Sequence, residues 1–137
     1  VNEEVAFLAN LSNDINEVND LIKESTPLKR NISTVNDKIR IVASRSHLND
    51  ETKEFIKYVE SGNKKAEIVS KGSSLKFCVV AEGKADIYPR FAPTMEWDTA
   101  AAHAICKAVG ISIINTKTNN ELSYNKEELI NPYFICR

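Results

Sequence analysis

Residues 72–110 constrain the fold of this chain more than any other stretch, because they combine two apolar segments with an extended connector. The first segment follows Ser73 and Ser74, whose hydroxyl groups can cap the free backbone N–H groups of a helix start. Its body, residues 75–81, is apolar nearly all round, and Gly83 readily adopts the left-handed conformation that ends many helices. The sequence therefore predicts a short, buried helix over residues 75–81.

A second helix is predicted at the other end of this stretch. It is expected to open at residues 97–98, to continue through the alanine-rich run 99–104 and to end near Gly110. Pro89 and Pro93 keep the connector extended, because proline cannot continue a helix and disfavours helical geometry in the residue before it. Each predicted helix carries a charged group in its first turn. The unpaired backbone N–H groups there suit an anion, or a carboxylate that holds a cation.

Strands and helices alternate along the rest of the chain. Short apolar or alternating runs predict strands, and the apolar spacing that follows an Asn-Asp cap predicts a further helix. The predicted strands cover residues 38–43, 66–70, 85–88, 112–115 and 133–136, and the helix covers 51–61, with a helical turn or two within 13–24. This alternation predicts a layered α/β sandwich in one domain.

Charge and composition exclude several classes of protein. The 137 residues carry a formal net charge of −1, so the chain lacks the basic excess that a nucleic-acid-binding surface needs. No apolar run approaches the roughly 20 residues of a transmembrane helix, and the first residues lack the basic start of a signal peptide. Cys78, Cys106 and Cys136 lie in apolar settings and are expected to be buried free thiols, which predicts a reducing, cytoplasmic compartment.

Asp98 is the first candidate for chemistry. Its position at the start of the second predicted helix fits an ordinary capping aspartate, and it also fits a carboxylate ligand for a hard cation such as magnesium. One carboxylate is too few to hold such a cation. The other aspartates of the chain form no cluster that resembles a metal site. The residues alone leave both interpretations open.

The start of the first helix is a candidate phosphate site. Ser73 and Lys76 are three residues apart and share one face of the helix start, where they could hold a phosphate together with the Gly72 backbone. The alternative is a capping serine and a lysine that extends its charged end to water. Arg90, in the connector, could add bidentate phosphate recognition, although on its own it fits an ordinary surface residue.

The sequence SRSH at residues 44–47 lies between a predicted strand end and a predicted helix start. This is the position at which α/β proteins gather ligand groups. Without further support, His47 fits a polar surface residue better than a ligand. His103 is five residues beyond Asp98 and off its face, so it is assigned no role. The chain contains no Cys-x-x-Cys pair, nucleophile elbow or phosphate-cradling glycine-rich loop.

Three segments together carry a resemblance to a known family. They are SRSH at 44–47, GSSLKFCVVAEGKADIYPRFAPTMEWDTAAAHAI at 72–105 and LINPYF at 129–134. From about residue 38 onward, their order and spacing resemble the bacterial 3′(2′),5′-bisphosphate nucleotidases of the inositol monophosphatase superfamily. WDTAA at 97–101 resembles the second signature of that family. The resemblance implies a magnesium-dependent, lithium-sensitive phosphatase that converts adenosine 3′,5′-bisphosphate to AMP and can act on the sulfated form of that nucleotide.

The resemblance also implies roles for individual residues. The position that matches Asp98 ligates a catalytic magnesium ion. Six further positions contact the nucleotide or its phosphate, and these are Ser44, His47, Gly72, Ser73, Lys76 and Arg90. The expected partner is therefore a small-molecule nucleotide. The expected fold is the C-terminal domain of the inositol monophosphatase-like fold.

The first signature of the family, Asp-Pro-(Ile/Leu)-Asp-Gly-Thr, does not occur in this sequence. The resemblance therefore implies that residues 38–137 form the C-terminal α/β domain, and that residues 1–37 are a partly ordered lead-in from an N-terminal domain outside this sequence. We expect such a chain to be inactive alone, because the remaining metal ligands are missing. We also expect it to self-associate through the face that the N-terminal domain would cover. The alternatives are a non-catalytic nucleotide- or phosphate-binding module and a truncated product without an independent role.

Overall fold

The computed structural model describes residues 5–9, 17–30, 37–43, 48–62 and 64–137, and strands and helices alternate within them. The strands are β1 (Phe7–Leu8), β2 (Thr26–Pro27), β3 (Lys38–Ala43), β4 (Lys65–Ser70), β5 (Tyr88–Arg90), β6 (Ile113–Asn115) and β7 (Phe134–Cys136). The helices are α1 (Val18–Glu24), α2 (Asp50–Ser61), α3 (Leu75–Ala81) and α4 (Glu96–Ala108). None of these described helices is long and apolar enough to span a membrane. The predicted α/β fold is confirmed.

The strands pair in three groups. β3 and β4 run parallel, in register from Lys38 opposite Lys65 to Ala43 opposite Ser70. β7 lies between β5 and β6 and is antiparallel to both. Backbone hydrogen bonds join these two groups, since the Val42 N–H donates to the Ile87 carbonyl oxygen (2.8 Å) just before β5. β1 and β2 form a separate two-residue antiparallel pair, which the sequence did not predict.

The core lies where α3 and α4 pack on each other and on the sheet. An aromatic cluster fills its centre. The Phe134 ring, which is fully buried, stacks on the Phe77 ring with centroids 5.8 Å apart, and its edge meets the Tyr88 ring at 6.0 Å. Because these three residues come from β7, α3 and β5, burial of their rings fixes those elements relative to one another.

Local signals set the ends of the helices in different ways. Asn49 caps α2 as predicted, since its side-chain oxygen accepts a hydrogen bond from the Thr52 N–H (3.1 Å). The predicted serine cap of α3 is wrong: Ser74 occupies the cap position in helical geometry and its side chain makes no capping hydrogen bond. An extended backbone normally directs a capping oxygen at the free N–H groups, and Ser74 is not extended. Gly83 follows α3 and has φ 70°, which is the left-handed conformation predicted to end this helix.

The predicted strand over residues 85–88 is wrong in its position, because β5 begins only at Tyr88. The N–H groups of Lys84 and Ala85 both donate to the Val79 carbonyl oxygen, at 3.0 and 3.2 Å. These residues therefore complete the end of α3 instead of starting a strand. α4 begins at Glu96, one residue before the predicted start.

Asp86 ties the connector before β5 to the neighbouring strand β3. Its carboxylate accepts hydrogen bonds from the Arg40 backbone N–H (2.7 Å) and from the Arg40 guanidinium (2.7 and 3.1 Å). Partial burial alone would raise the pKa of Asp86. The hydrogen bonds and the charge of Arg40 together outweigh burial and lower this pKa. The carboxylate therefore stays ionised and keeps the two segments together.

The three cysteines are free thiols. Cys106 and Cys136 are fully buried, as predicted, and their sulfur atoms lie 3.8 Å apart between α4 and β7. Cys78 is only half-buried, so the prediction of burial is wrong for this residue. Its side chain follows the buried Phe77 on a short helix, at a position that the core does not fully cover.

Candidate functional site

A cavity of about 370 Å³ lies between the first turns of α3 and α4, and it is partly open to solvent. α3 and the residues just before it contribute Ser73 and Lys76, and β5 contributes Tyr88 and Arg90. The first turn of α4 contributes Trp97 and Asp98. The cavity thus collects residues from distant parts of the chain at one end of the paired helices.

Two cations dominate the charge of this cavity. Lys76 lies with its ammonium nitrogen 5.5 Å from the centre of the Tyr88 ring. The Arg90 guanidinium donates one hydrogen bond to the Pro93 carbonyl oxygen (3.3 Å), and its Nε is buried without a partner among the described residues. Neither Lys76 nor Arg90 forms an ion pair with any residue that the structure describes. The cavity therefore holds two positive charges that form no ion pair among the described residues, and Asp98 is the one carboxylate in its lining.

The surroundings of Lys76 make the protonated, charged form of its side chain less favourable. Burial lowers the pKa of the Lys76 ammonium, and the nearby charge of Arg90 lowers it further. A bound anion would remove this penalty, because it would pair with both cations in a partly desolvated space. The electrostatics of the cavity therefore favour a multiply charged anion such as a phosphate group.

The loop before α3 contributes polar groups to the same cavity. Ser73 lines it and adopts φ 51°, a left-handed conformation that is uncommon for a residue with a side chain. Gly72 precedes the cavity and does not line it. A β-carbon at Gly72 would meet no atom within 4 Å, so the structure gives no steric reason for glycine at this position.

Asp98 is the third residue of α4 and not its cap. Its Oδ2 accepts a hydrogen bond from the Met95 N–H (2.8 Å), so the carboxylate closes back on the residue before the helix. The Asp98 side chain is exposed and lines the cavity. The predicted position of Asp98 as the cap is therefore wrong, because Met95 occupies that position. A ligand role is compatible with the hydrogen bond to Met95, because this bond uses only one of the two carboxylate oxygens.

The described residues do not make a complete magnesium site. Magnesium takes six ligands, mainly oxygen atoms, and usually binds through one or two carboxylates with water and substrate phosphate. Within the described ranges, no group of three His, Cys, Asp or Glu side chains could hold a metal ion. Asp98 is therefore at most one ligand of such a site. The expectation that the other ligands lie outside this chain stays a prediction.

A second cavity of about 340 Å³ shares Lys76, Tyr88 and Arg90 with the first. Its other walls are less polar and include Phe91. Ala43 and Leu48, which flank residues 44–47 in the sequence, also line this second cavity. Ser44 and His47 themselves lie outside the described residues, so their predicted contacts stay predictions.

The structure thus brings together four of the seven predicted site residues, namely Ser73, Lys76, Arg90 and Asp98. His103, which was assigned no role, lies elsewhere and its Nδ1 is 2.8 Å from the Tyr124 hydroxyl. The sequence interpretation missed Tyr88 as part of the lining. The sequence interpretation also considered Trp97 only as the start of a helix. In the structure Trp97 is 66% exposed and lines the same cavity as the two cations.

Comparison with known proteins assigns the chain to a family. The sequence profile of the inositol monophosphatase family matches residues 7–133, which is nearly the whole chain. The chain belongs to the inositol monophosphatase family. The 3′(2′),5′-bisphosphate nucleotidase CysQ of Salmonella typhimurium strain LT2 is 45% identical to this family member over 95 residues. The match covers 69% of this chain and 37% of that protein.

Solved structures of the inositol monophosphatase family give the same assignment. The crystal structure of CysQ from Bacteroides thetaiotaomicron superposes with a TM-score of 0.76 at 45% identity, over 92% of this chain and 46% of that one. Inositol monophosphatase II from Staphylococcus aureus MSSA476 superposes with a TM-score of 0.61 at 18% identity, over 82% of this chain and 40% of that one, which shows a shared fold. The chain therefore spans less than half the length of these relatives.

Proposed function

We propose that this chain is the C-terminal, phosphate-binding part of a magnesium-dependent 3′(2′),5′-bisphosphate nucleotidase, a phosphoric monoester hydrolase that converts adenosine 3′,5′-bisphosphate to AMP and phosphate. The observation that carries this proposal is that Lys76 and Arg90, which form no ion pair among the described residues, line one cavity together with Asp98. In this proposal residues 38–137 form the domain and residues 1–37 lead in from an N-terminal domain. The nucleotidase relatives support the substrate class.

The chemistry of the cavity fits a phosphate ester. The Arg90 guanidinium can meet two phosphate oxygens with parallel N–H donors, while the Lys76 ammonium acts as a compact point charge. Ser73 can add a hydroxyl donor. Because these groups are already in place before the substrate arrives, they can stabilise negative charge on a phosphoryl group at little cost in reorganisation.

The second cavity supports a place for the nucleoside. It continues from the same two cations toward Phe91 and toward the ends of the segment that contains Ser44 and His47. A base could pack on its less polar wall, since ligand sites typically combine apolar walls with a few polar anchors. We assign Ser44 and His47 to contacts with the nucleotide on this basis and on the match to the nucleotidases.

Asp98 is proposed as the one carboxylate that this chain contributes to the magnesium site of the whole enzyme. The described residues do not complete that site, so we expect the isolated chain to bind nucleotide and not to hydrolyse it. Hydrolysis also requires groups that activate the attacking water and stabilise the leaving oxygen.

The test is a titration of the purified chain with AMP and with adenosine 3′,5′-bisphosphate at low ionic strength. Calorimetry and the fluorescence of Trp97, the single tryptophan of the chain, should both report micromolar binding. Phosphate release in the presence of magnesium should stay at the level of a blank. Release at an enzyme-like rate would contradict the incompleteness of the chain. Absence of binding by either nucleotide would contradict the nucleotide site.

A non-catalytic nucleotide- or phosphate-binding module is the second candidate function. It is favoured by one observation, the presence of a single carboxylate in a cavity that is otherwise complete for an anion. Addition of the N-terminal half of the parent enzyme as a separate polypeptide distinguishes the two. Magnesium-dependent phosphate release after this addition supports the nucleotidase, whereas binding that never leads to release supports the module.

An apolar patch at the start of α4 is a proposed contact surface of the N-terminal domain. It consists of Trp97, Leu129 and Ile130, which are 66%, 39% and 47% exposed. An antiparallel bridge between Ile130 and Met95 places Leu129 and Ile130 beside the start of α4, near Trp97. Without that domain, we expect the chain to self-associate through this patch. Sedimentation velocity should show a concentration-dependent dimer that Trp97→Ser weakens, and a clean monomer at high concentration would contradict this.

A further inference from the structure

Asn131 is a buried polar residue in a segment that the site does not otherwise use. Its side chain is 3% exposed, and its amide nitrogen lies 2.8 Å from the Met95 carbonyl oxygen and 3.1 Å from the Thr99 hydroxyl oxygen. A third acceptor, the Thr94 hydroxyl oxygen, lies 3.2 Å away. The Asn131 backbone N–H also donates to the Thr94 carbonyl oxygen (2.8 Å). Asn131 therefore fixes the two residues that come just before α4.

The chemistry of the partners fixes the orientation of this amide. A backbone carbonyl oxygen can only accept hydrogen bonds, so the NH₂ end of Asn131 must face Met95. The Asn131 carbonyl oxygen is buried and has no hydrogen-bond partner within the described residues. An apolar residue of similar size would avoid that penalty. The amide is therefore explained by the hydrogen bonds that it donates and not by burial alone.

Met95 connects Asn131 to Asp98. The Met95 carbonyl oxygen accepts hydrogen bonds from the Asn131 amide (2.8 Å) and from the Asp98 backbone N–H (3.0 Å). The Met95 N–H in turn donates to the Asp98 Oδ2 (2.8 Å). Both polar groups of residue 95 are thus fixed, and one of them orients the Asp98 carboxylate.

We propose that Asn131 is a positioning residue for Asp98. Its side chain holds the Met95 carbonyl oxygen and its backbone N–H holds the Thr94 carbonyl oxygen, so the backbone of Met95 is fixed on both sides. The Met95 N–H then fixes one oxygen of the Asp98 carboxylate and leaves the other for the ligand of the cavity. The ligand part of this inference rests on the proposed function, whereas the positioning part concerns only this chain. Asn131 is 33 residues beyond Asp98 in the sequence, so the hydrogen bonds join the segment 129–134 directly to the candidate site.

The test uses the Met95 amide as a local reporter in the full chain. An N–H that donates to a carboxylate differs in proton chemical shift from one that donates to a neutral amide, so the Met95 signal should move when Asp98 is replaced by asparagine. This difference between a chain with Asp98 and the same chain with Asp98→Asn is the Asp98-linked shift, and it is measured at one pH in each variant background. Asn131→Asp keeps the shape of the side chain and removes its donors, and Asn131→Ser is a smaller second variant in case the first does not fold. Tyr124→Phe removes a hydroxyl that is 3.4 Å from Thr99 and leaves Asn131 intact, so it serves as the matched control.

In the wild type and in Tyr124→Phe, the Met95 amide should show the Asp98-linked shift. In the Asn131 variants this shift should be largely lost. Hydrogen exchange of the Met95 amide should also accelerate by about tenfold relative to the amides of β7, as expected for the loss of an ordinary hydrogen bond. A uniform acceleration of Met95 and β7 would indicate a purely structural role and overturn the proposal. Retention of the Asp98-linked shift in the Asn131 variants would overturn it as well.

A parallel titration with AMP separates this inference from the proposed function. If the wild type binds AMP and the Asn131 variants keep the Met95 shift, only the positioning role is overturned. If the wild type does not bind AMP, the proposed function fails, and the Met95 signal still decides whether Asn131 positions Asp98.

Discussion

Replacement of Phe134 by alanine is expected to lower the free energy of unfolding by about 3–5 kcal/mol. Phe134 is fully buried in the central strand β7 and contacts the rings of Phe77 and Tyr88. Removal of its ring leaves a cavity that three different elements would have to close. Since domains of this size are typically stable by about 5–15 kcal/mol, this single change removes a large part of the total.

Urea unfolding followed by circular dichroism measures this loss. Phe55→Ala is the matched control, because Phe55 is half-buried on α2 and its aromatic contact is with Phe91 at 5.7 Å. We expect less than half the loss for this control. If the two variants lost equal stability, the aromatic cluster around Phe134 would not be the main core of the chain.

Replacement of Lys76 and Arg90 by methionine is the change with the largest expected effect on binding. A hydrogen bond to a charged group contributes about 1.5–3 kcal/mol, so each single substitution should weaken AMP binding by about 10- to 100-fold. The double variant should fall below detection. Arg90→Lys keeps the charge but loses the paired donors of the guanidinium, and we expect an intermediate loss of about tenfold.

Calorimetry with AMP at low ionic strength provides the measurement, and Lys57→Met is the control because Lys57 is an exposed residue of α2. Unchanged AMP affinity in the double variant would show that the cavity is not the anion site. Lys76→Met should not lower the free energy of unfolding, because burial and Arg90 already disfavour the Lys76 charge in the free protein. Loss of binding without loss of stability is the pattern expected for residues selected for a ligand.

The sequence predicted the elements that local signals specify. The alternating residues of β3 gave its bounds, and the cap at Asn49 with Gly62 at the other end gave α2. The apolar run 75–81 gave α3. Each of these depends on residues a few positions apart, so a single stretch of sequence contains the information.

The parts that were missed depend on residues far apart in the chain. The start of β5 is set by hydrogen bonds from Lys84 and Ala85 to Val79 and by the contact of Asp86 with Arg40. The role of Asn131 depends on Met95, which is 36 residues away. The sequence alone offered Ser73, Lys76, Arg90 and Asp98 as candidates, and the resemblance gave them roles in one site. Their meeting in one cavity follows from the packing of α3 against α4, which no local pattern encodes.

The position of β7 has a consequence for how this protein is made. β7 is formed by residues 134–136, yet it lies between β5 and β6 and carries the ring at the centre of the core. The earlier strands therefore cannot complete this sheet until residues 134–136 have been synthesised. Until those residues have left the ribosome, the nascent chain exposes the apolar surfaces of α3 and α4, and a prematurely terminated product would be a natural substrate for chaperones and proteases.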